Sequence, residues 1–276
     1  MSTNHPEYAE DYTEPLEIAT RAGDLQRVRT IINDWRSHPE LDETNLEVCI
    51  QTCADLAAQH DQPAILRLLL ENGAEASTTL VASAAKTGTP EVFQLLYDHG
   101  WRPDHVGTRD RMLVILRAVN NSPLLKWLLD KGADPNAVSL HNHTVLSSAA
   151  NSATPAEIDL LLAHGAKLQG SNALHSAVRR GSTPSEERLE MMQYLLDLGI
   201  DINALEALHV KPPKPRGRGS ALHVAVSAGK AGRVKWLLEH GADVNAKVEG
   251  GRTALEWAQE GKQKECAEVL RQYGAT

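Results

Sequence analysis

The sequence predicts an all-α solenoid, and two observations support this prediction. Glycine recurs after apolar, helix-like runs, and seven such glycines are separated by 27, 32, 33, 34, 42 and 33 residues. A period in this range is typical of stacked repeats, in which each repeat buries its apolar face only against its neighbours. The chain also has a single phenylalanine, so its core must consist of leucine, alanine, valine and isoleucine, which suits closely packed helices. The periodic glycines are Gly73, Gly100, Gly132, Gly165, Gly199, Gly241 and Gly274.

Each repeat is predicted to begin with a capped helix. The segments 220–247 and 253–275 align with an offset of 33 residues, and this register extends to the rest of the chain. It places a Ser, Thr or Asn one or two residues before an apolar segment. The side-chain oxygen of such a residue can accept an otherwise unpaired backbone N–H at a helix start. We therefore expect helix N-caps at Thr79, Thr144, Asn172, Ser220 and Thr253.

A second helix follows a short polar break and ends at the glycine, where a left-handed residue is favoured. His99, His164 and His240 directly precede this glycine, so their rings are expected to face a helix C-terminus. The sequences GADPNA, GIDINA and GADVNA then supply turn chemistry. We expect their asparagines to bond their own backbone; these are Asn136, Asn203 and Asn245.

The order of helix, turn, helix, glycine and protruding turn resembles the ankyrin repeat. The resemblance also rests on Ala-Leu-His at 173–175 and 221–223, in addition to the GADVNA-type turns. It implies that His175 and His223 hydrogen-bond between neighbouring turns. In this family the turn asparagines can also be hydroxylated, and that alternative stays open here.

The resemblance implies a domain plan with one array. An acidic tail in residues 1–14 precedes an ankyrin-repeat array of about eight repeats in residues 15–276. The interval between repeats six and seven departs from the period by an insertion: the 42 residues before Gly241 exceed 33 by nine. The extra residues lie in a long basic insertion, 205–219, which is rich in proline and cations.

Composition excludes several classes of function. The net charge of −8 gives no support to nucleic-acid binding, and no apolar run approaches the roughly 18 residues of a membrane span. Three cysteines cannot form a disulfide framework, which favours a reducing compartment. The N-terminal residues lack a basic-then-apolar signal sequence. We expect a cytoplasmic protein, with the nucleus as the alternative, since the basic insertion weakly resembles a nuclear-import signal.

No motif indicates catalysis. His141 and His143 form a small cluster between repeats four and five, but a metal site would need further ligands that converge in space. A surface turn is the favoured interpretation of this cluster. The sequence shows no HExxH, CxxC, phosphate-binding glycine loop or nucleophile motif. We expect no metal, no cofactor and no catalytic residue.

Basic residues concentrate near one junction. Arg179 and Arg180, at the end of the first helix of repeat six, are predicted to adjoin the basic insertion. Ankyrin arrays bind through their turns and through the exposed ends of their first helices, which implies a set of partner-binding residues. They are Arg179, Arg180, Lys211, Lys214, Arg216, Arg218, His141, His143, Asn151 and Lys86.

The leading hypothesis is a monomeric protein-interaction module that binds another protein in its concave groove, without catalytic activity. Paired guanidinium groups suit an acidic or phosphorylated segment of that partner, because arginine can engage two oxygens at once. The alternative is an enzyme or small-molecule-binding protein with a site in an uneven groove. An inhibitor that occludes a target enzyme is a special case of the first hypothesis.

Overall fold

Sixteen α-helices in eight consecutive pairs make up the part of the chain that the computed structural model describes, residues 6–38, 43–103, 111–139, 141–179, 186–207, 219–248 and 251–276. Within these residues, pairing of extended backbone is limited to two isolated bridges at protruding turns, Val138 with Thr144 and Lys247 with Thr253. The predicted all-α fold of helix-turn-helix repeats is therefore confirmed.

The first helix of each pair carries an odd number and the second an even number. In chain order they are α1 Pro6–Ala22, α2 Leu25–Arg36, α3 Glu43–Gln59, α4 Pro63–Glu71, α5 Thr78–Thr87, α6 Pro90–Asp98, α7 Arg111–Ala118, α8 Ser122–Asp130, α9 Val145–Ser152, α10 Pro155–Ala163, α11 Ala173–Arg179, α12 Glu186–Asp197, α13 Ala221–Ser227, α14 Ala231–Glu239, α15 Ala254–Glu260 and α16 Lys264–Gln272.

The periodic glycines end the second helices, as predicted. All seven have left-handed backbone, with φ between 87° and 107°, a region that only glycine enters without steric cost. The preceding histidines also behave as expected. Nδ1 of His99 and His164 lies 2.9 Å from the carbonyl four residues back, and the same distance is 2.7 Å for His240. Each ring thus pairs a carbonyl of the last helical turn.

Two of the five predicted N-caps are confirmed by a side-chain hydrogen bond, and a third is confirmed by position alone. The hydroxyl of Thr144 accepts the Ser147 N–H at 3.0 Å, and that of Thr253 accepts the Glu256 N–H at 3.3 Å. Ser220 occupies the N-cap position of α13, but its hydroxyl pairs with Nδ1 of His223 and does not cap the helix backbone. The hydroxyls of Thr144 and Thr253 lie where the α9 and α15 backbones need acceptors.

Two N-cap predictions are wrong. Thr79 lies inside α5, and the cap is Ser77, whose hydroxyl accepts the Leu80 N–H at 3.2 Å. Asn172 directly precedes α11, but its side chain hydrogen-bonds the backbone of Ala207. At the start of α5 a neighbouring polar residue, Ser77, caps the helix in place of Thr79. At the start of α11 the Asn172 side chain binds a loop that is distant in the sequence.

The chain divides into two compact bodies, which we call the N-terminal body (Met1–Ala133) and the C-terminal body (Asp134–Thr276). In the N-terminal body the first helices α1, α3, α5 and α7 pack side by side, as do the second helices α2, α4, α6 and α8. Their interface is apolar, with Leu16, Leu66, Phe93 and Leu125 fully buried.

The C-terminal body repeats this arrangement with a different core. Its first helices α9, α11, α13 and α15 pack in order, and α14 packs on α16. Apolar residues such as Ile158, Leu195 and Leu237 are fully buried, and so is His223. Buried polar side chains thus become part of the packing between its repeats.

The first helix includes part of the segment 1–14 that was predicted as an acidic tail. Helix α1 begins at Pro6, so most of residues 1–14 belongs to the first helix, and residues 1–5 lie outside the described part. The extension is held by Tyr12, whose ring lies 5.4 Å from that of Trp35 and whose hydroxyl donates to Asp34 at 3.1 Å. Tyr12 thus joins this part of α1 to α2.

Candidate functional site

The ends of the first helices were predicted to face a partner. Lys86 is exposed in the last turn of α5, and its Nζ lies 3.5 Å from Oε1 of Gln59, the last residue of α3. Asn151 is half-buried in the last turn of α9. Lys86 belongs to the N-terminal body and Asn151 to the C-terminal body, so each is a candidate contact within its own body.

In the C-terminal body, Arg179 is the last residue of α11. Its guanidinium forms an ion pair with Glu206 at 3.3 Å, and the two side chains are 51% and 28% exposed. Sequence reasoning named Arg179 but missed Glu206, which lies 27 residues further along the chain. The other predicted cations, Arg180, Lys211, Lys214, Arg216 and Arg218, lie outside the described residues.

Backbone and amide hydrogen bonds hold Glu206 in place. Its own N–H donates to the Gly219 carbonyl at 2.9 Å. The Ala207 N–H donates to Oδ1 of Asn172 at 2.7 Å, and the Ala207 carbonyl accepts from Nδ2 of Asn142 at 2.8 Å and of Asn172 at 2.9 Å. Asn142 belongs to the 141–143 turn, so this turn is joined directly to the start of the basic insertion.

Two histidines, His143 and His175, lie close enough to Glu206 to interact with its charge. Nε2 of His175 lies 3.1 Å from the Gly219 carbonyl, which confirms the bond to a neighbouring turn that the resemblance implied. Burial lowers the pKa of His175 below its usual value. Burial also lowers the pKa of His143, helped by the positive charges of Arg179 and His141, while Glu206 opposes the shift. Both rings therefore favour the neutral form near neutral pH.

His223 differs from His175. Its Nδ1 lies 2.9 Å from the hydroxyl of Ser220, its own N-cap residue, and its ring packs edge-on against Trp257 with centroids 5.3 Å apart. Burial lowers the pKa of His223 to about 4, although the Arg252 backbone opposes the shift. The imidazole is thus a neutral core residue.

A buried arginine contacts the backbone of the residue that precedes Arg179. Arg233 of α14 is 6% exposed, and its guanidinium donates to the Val178 carbonyl in the last turn of α11 at 2.6 Å. A cation at this end offsets the partial negative charge of a helix C-terminus. The repeat register could have revealed it, because the residue eight before each periodic glycine is otherwise mostly apolar, as with Ile65, Val92 and Leu124.

The turn asparagines do not bond their own backbone with their side chains, which corrects that expectation. An aspartate two residues earlier makes the local bond instead: Oδ1 of Asp134 accepts the Asn136 N–H at 2.8 Å. The Asn136 side chain reaches the next repeat, where it donates to the Gly165 carbonyl at 3.0 Å and accepts the Lys167 N–H at 2.8 Å.

The same pattern continues along the C-terminal body. Gln169 donates to the Gly199 carbonyl at 2.9 Å. Asn203 donates to the Gly241 carbonyl at 3.4 Å and accepts the Asp243 N–H at 2.8 Å, and Asn245 accepts the Thr276 N–H at 3.1 Å. We call these three side chains, together with Asn136, the turn ladder; its members are Asn136, Gln169, Asn203 and Asn245. The ladder holds the protruding turns in a fixed row.

Metal chemistry receives no support from the described residues, among which no group of three or more His, Cys, Asp or Glu side chains could hold an ion. His141 and His143 lie in a hydrogen-bonded turn. The backbone N–H of His141 donates to the Ser139 hydroxyl at 3.3 Å, and that of His143 donates to it at 3.0 Å. None of the described helices combines the length and apolar character that crossing a bilayer requires.

Comparison with known proteins agrees with the fold. The family model for ankyrin repeats (three copies) matches residues 54–139, 112–206 and 203–276. The ankyrin repeat protein nuc-2 of Neurospora crassa is 24% identical over 95% of this chain and 24% of its own length. The mouse B-cell lymphoma 3 protein homolog is 30% identical over 48% of this chain and 28% of its own length.

A solved structure supports the same assignment. The crystal structure of the human ASB11 ankyrin repeat domain has a TM-score of 0.53 and 28% sequence identity, and the match covers 70% of this chain and 82% of that one. By contrast, the chain spans only about a quarter of the length of the curated relatives.

Proposed function

Because the chain belongs to the ankyrin-repeat family, whose repeats are generally protein-protein interaction modules, we propose that it binds an acidic or phosphorylated segment of a partner protein at the end of α11. The proposed contact surface consists of Arg179 and the 141–143 turn. Arg233 supports it from within. The protein would act through binding alone, without catalysis.

The observation that carries this proposal is the convergence of two arginines on one helix end. A helix C-terminus disfavours anions, because its unpaired carbonyls carry partial negative charge. Here the buried Arg233 guanidinium pairs the Val178 carbonyl, and the next residue of the chain, Arg179, has a half-exposed guanidinium. An acidic group can therefore approach a helix end that would otherwise repel it.

The sequence carries further cations between two anchored residues. The segment 208–218, which contains Lys211, Lys214, Arg216 and Arg218, joins Ala207 to Gly219. Ala207 hydrogen-bonds Asn172 and Gly219 hydrogen-bonds His175, while Glu206, which directly precedes Ala207, pairs with Arg179. In a chain with a net charge of −8, such a local concentration of cations favours a partner that presents its negative charge locally.

The test compares two variants with equal charge changes. In the first, Arg179, Arg180, Arg216 and Arg218 are replaced with Ser; in the matched control, the exposed residues Arg29, Arg67, Lys126 and Lys235 are replaced with Ser. Proteins from the native organism are captured with the wild type, and the affinity of each captured partner is then measured at low and physiological salt.

We expect the first variant to bind more weakly and with a smaller dependence on salt, because it lacks charges that salt screens. The control should behave like the wild type. If both variants keep the wild-type affinity and salt dependence, the end of α11 is not the contact surface, and the first-helix ends at Lys86 and Asn151 become the next candidates.

We also propose that the protein acts as a monomer in the cytoplasm, with the nucleus as the alternative compartment. Light scattering at micromolar concentration should give the mass of one chain, 30.1 kDa. A stable dimer would contradict the monomer. Imaging of the tagged protein would decide between the compartments.

A further inference from the structure

Glu206 is the acidic residue that the structure places against the proposed contact surface. Its carboxylate pairs with Arg179 at 3.3 Å. It is also close enough to His143 and His175 to oppose the lowering of their pKa values. The backbone of Glu206 is fixed by its bond to Gly219. A carboxylate of the chain itself is therefore paired with the arginine of this surface.

We propose that the Glu206 carboxylate occupies the subsite in which an acidic side chain of the partner binds, so that Glu206 competes with the partner for the Arg179 guanidinium. This inference rests on the proposed function and adds the position of the ligand's carboxylate to it. The subsite consists of the Arg179 guanidinium with the ring of His143 beside it. Binding exchanges the internal carboxylate for an external one.

The ion pair has the strength that such an exchange requires. Arg179 and Glu206 are 51% and 28% exposed, and exposed pairs of this kind are weak enough for an incoming carboxylate to displace them. Because its backbone is pinned, Glu206 stays close to Arg179 and keeps a high effective concentration. Removal of its charge should therefore strengthen the binding of an acidic ligand by about two- to six-fold.

The exchange of one carboxylate for another should also change how the binding affinity depends on salt concentration. In the wild type, one ion pair is broken as another forms, so Arg179 adds little to the salt dependence of binding. In the Glu206→Gln variant a new ion pair forms without the loss of an old one. Its affinity should therefore fall more steeply with added salt than that of the wild type.

A matched control exists in the N-terminal body. Arg21 lies at the end of α1, and pairs with Glu17 at 2.9 Å, with side-chain exposures of 53% and 27%. Glu17→Gln removes the same charge from a pair of nearly the same exposure. The probe is a fluorescein-labelled oligoglutamate peptide, whose binding to the full-length protein is followed by anisotropy over a range of salt concentrations.

We expect Glu206→Gln to bind the peptide more tightly and with a steeper salt dependence, Glu17→Gln to match the wild type, and Arg179→Ser to bind more weakly than the wild type. If Glu206→Gln and Glu17→Gln behave alike while Arg179→Ser weakens binding, the internal competitor is wrong and the proposed function stands. If Arg179→Ser binds like the wild type, or if no variant binds the peptide, the proposed function itself is wrong. Circular dichroism of each variant shows whether it is folded.

Discussion

The two bodies share one architecture but differ in what fills their cores. Among the described residues of the N-terminal body, Thr20 is the single buried polar side chain. Among the residues described in the C-terminal body there are eleven. They are Thr144, Ser147, Glu157, Ser171, Asn172, His175, Ser176, Ser220, His223, Arg233 and Thr253.

Aromatic packing shows the reverse distribution. In the N-terminal body, Phe93 contacts Trp101 and Trp127 with ring centroids 5.4 and 6.3 Å apart, and Tyr97 meets Trp127 edge-on at 6.0 Å. Apolar contact is non-directional and depends on area, whereas buried hydrogen bonds require one arrangement of their partners. Helix pairs of the same architecture are thus stabilised mainly by burial of apolar surface in the N-terminal body and additionally by buried hydrogen bonds in the C-terminal body. The proposed contact surface lies in the C-terminal body.

Truncation of core side chains should have the largest effect, and it should affect both bodies. Phe93→Ala removes a fully buried ring and should lower the free energy of unfolding by about 3–5 kcal/mol. Leu237→Ala, in the C-terminal body, should cost about 2–5 kcal/mol. Urea unfolding followed by circular dichroism measures both. A Leu237→Ala variant with the same free energy of unfolding as the wild type would contradict the register of repeat seven.

Acid should act mainly on the C-terminal body. The pKa of His223 is lowered from 6.5 to about 4, so the unfolded chain binds more protons between these values. The stabilising contribution is full above about pH 6.5 and is lost as the pH falls toward 4, by about 2–3 kcal/mol.

Urea unfolding at several pH values measures this dependence. His223→Gln should flatten the profile between pH 6.5 and 4, since it removes the titrating ring. The control Asn33→Ala changes an exposed side chain of the N-terminal body that does not titrate, and should keep the wild-type slope. Equal slopes in the wild type and His223→Gln would show that the contrast between the cores does not govern acid stability.

Loss of one rung of the turn ladder should have a smaller effect. Asn203→Ala removes a donor to Gly241 and an acceptor for Asp243, and should cost about 1 kcal/mol. The control Asn33→Ala changes an exposed residue of α2 in the N-terminal body and should stay within about 0.5 kcal/mol of the wild type. If the two variants have equal midpoints of unfolding, the ladder contributes nothing measurable.

The smallest effect on stability should come from the exposed ion pairs. Glu206→Gln and Glu17→Gln should each change the free energy of unfolding by less than about 1 kcal/mol, in either body. Thermal melts of the two variants measure this. A large loss in Glu206→Gln alone would assign Glu206 a structural role, and its effect on peptide binding would then need a different explanation.

The fold could be predicted from the sequence because its determinants are local. A helix end at Gly241 depends on a few neighbouring residues, and so does an N-cap at Thr253. The missed contacts join residues far apart in the chain: Arg233 reaches Val178 over 55 residues, and Arg179 reaches Glu206 over 27. No local pattern shows such pairs, and Arg179 was predicted as a binding residue without the Glu206 carboxylate that pairs with it.

The turn ladder has a direction, and this makes the repeats of the C-terminal body unequal neighbours. Each amide reaches forward along the chain, from Asn136 to Gly165 and from Gln169 to Gly199. When a repeat opens, the repeat before it keeps its turn side chain but loses the backbone atoms to which that side chain was bound. The repeat after it keeps its backbone atoms but loses the side chain that was bound to them. Unzipping should therefore be asymmetric, and amide hydrogen exchange at Lys167 and Asp243, whose N–H groups are held from the preceding repeat, would report it.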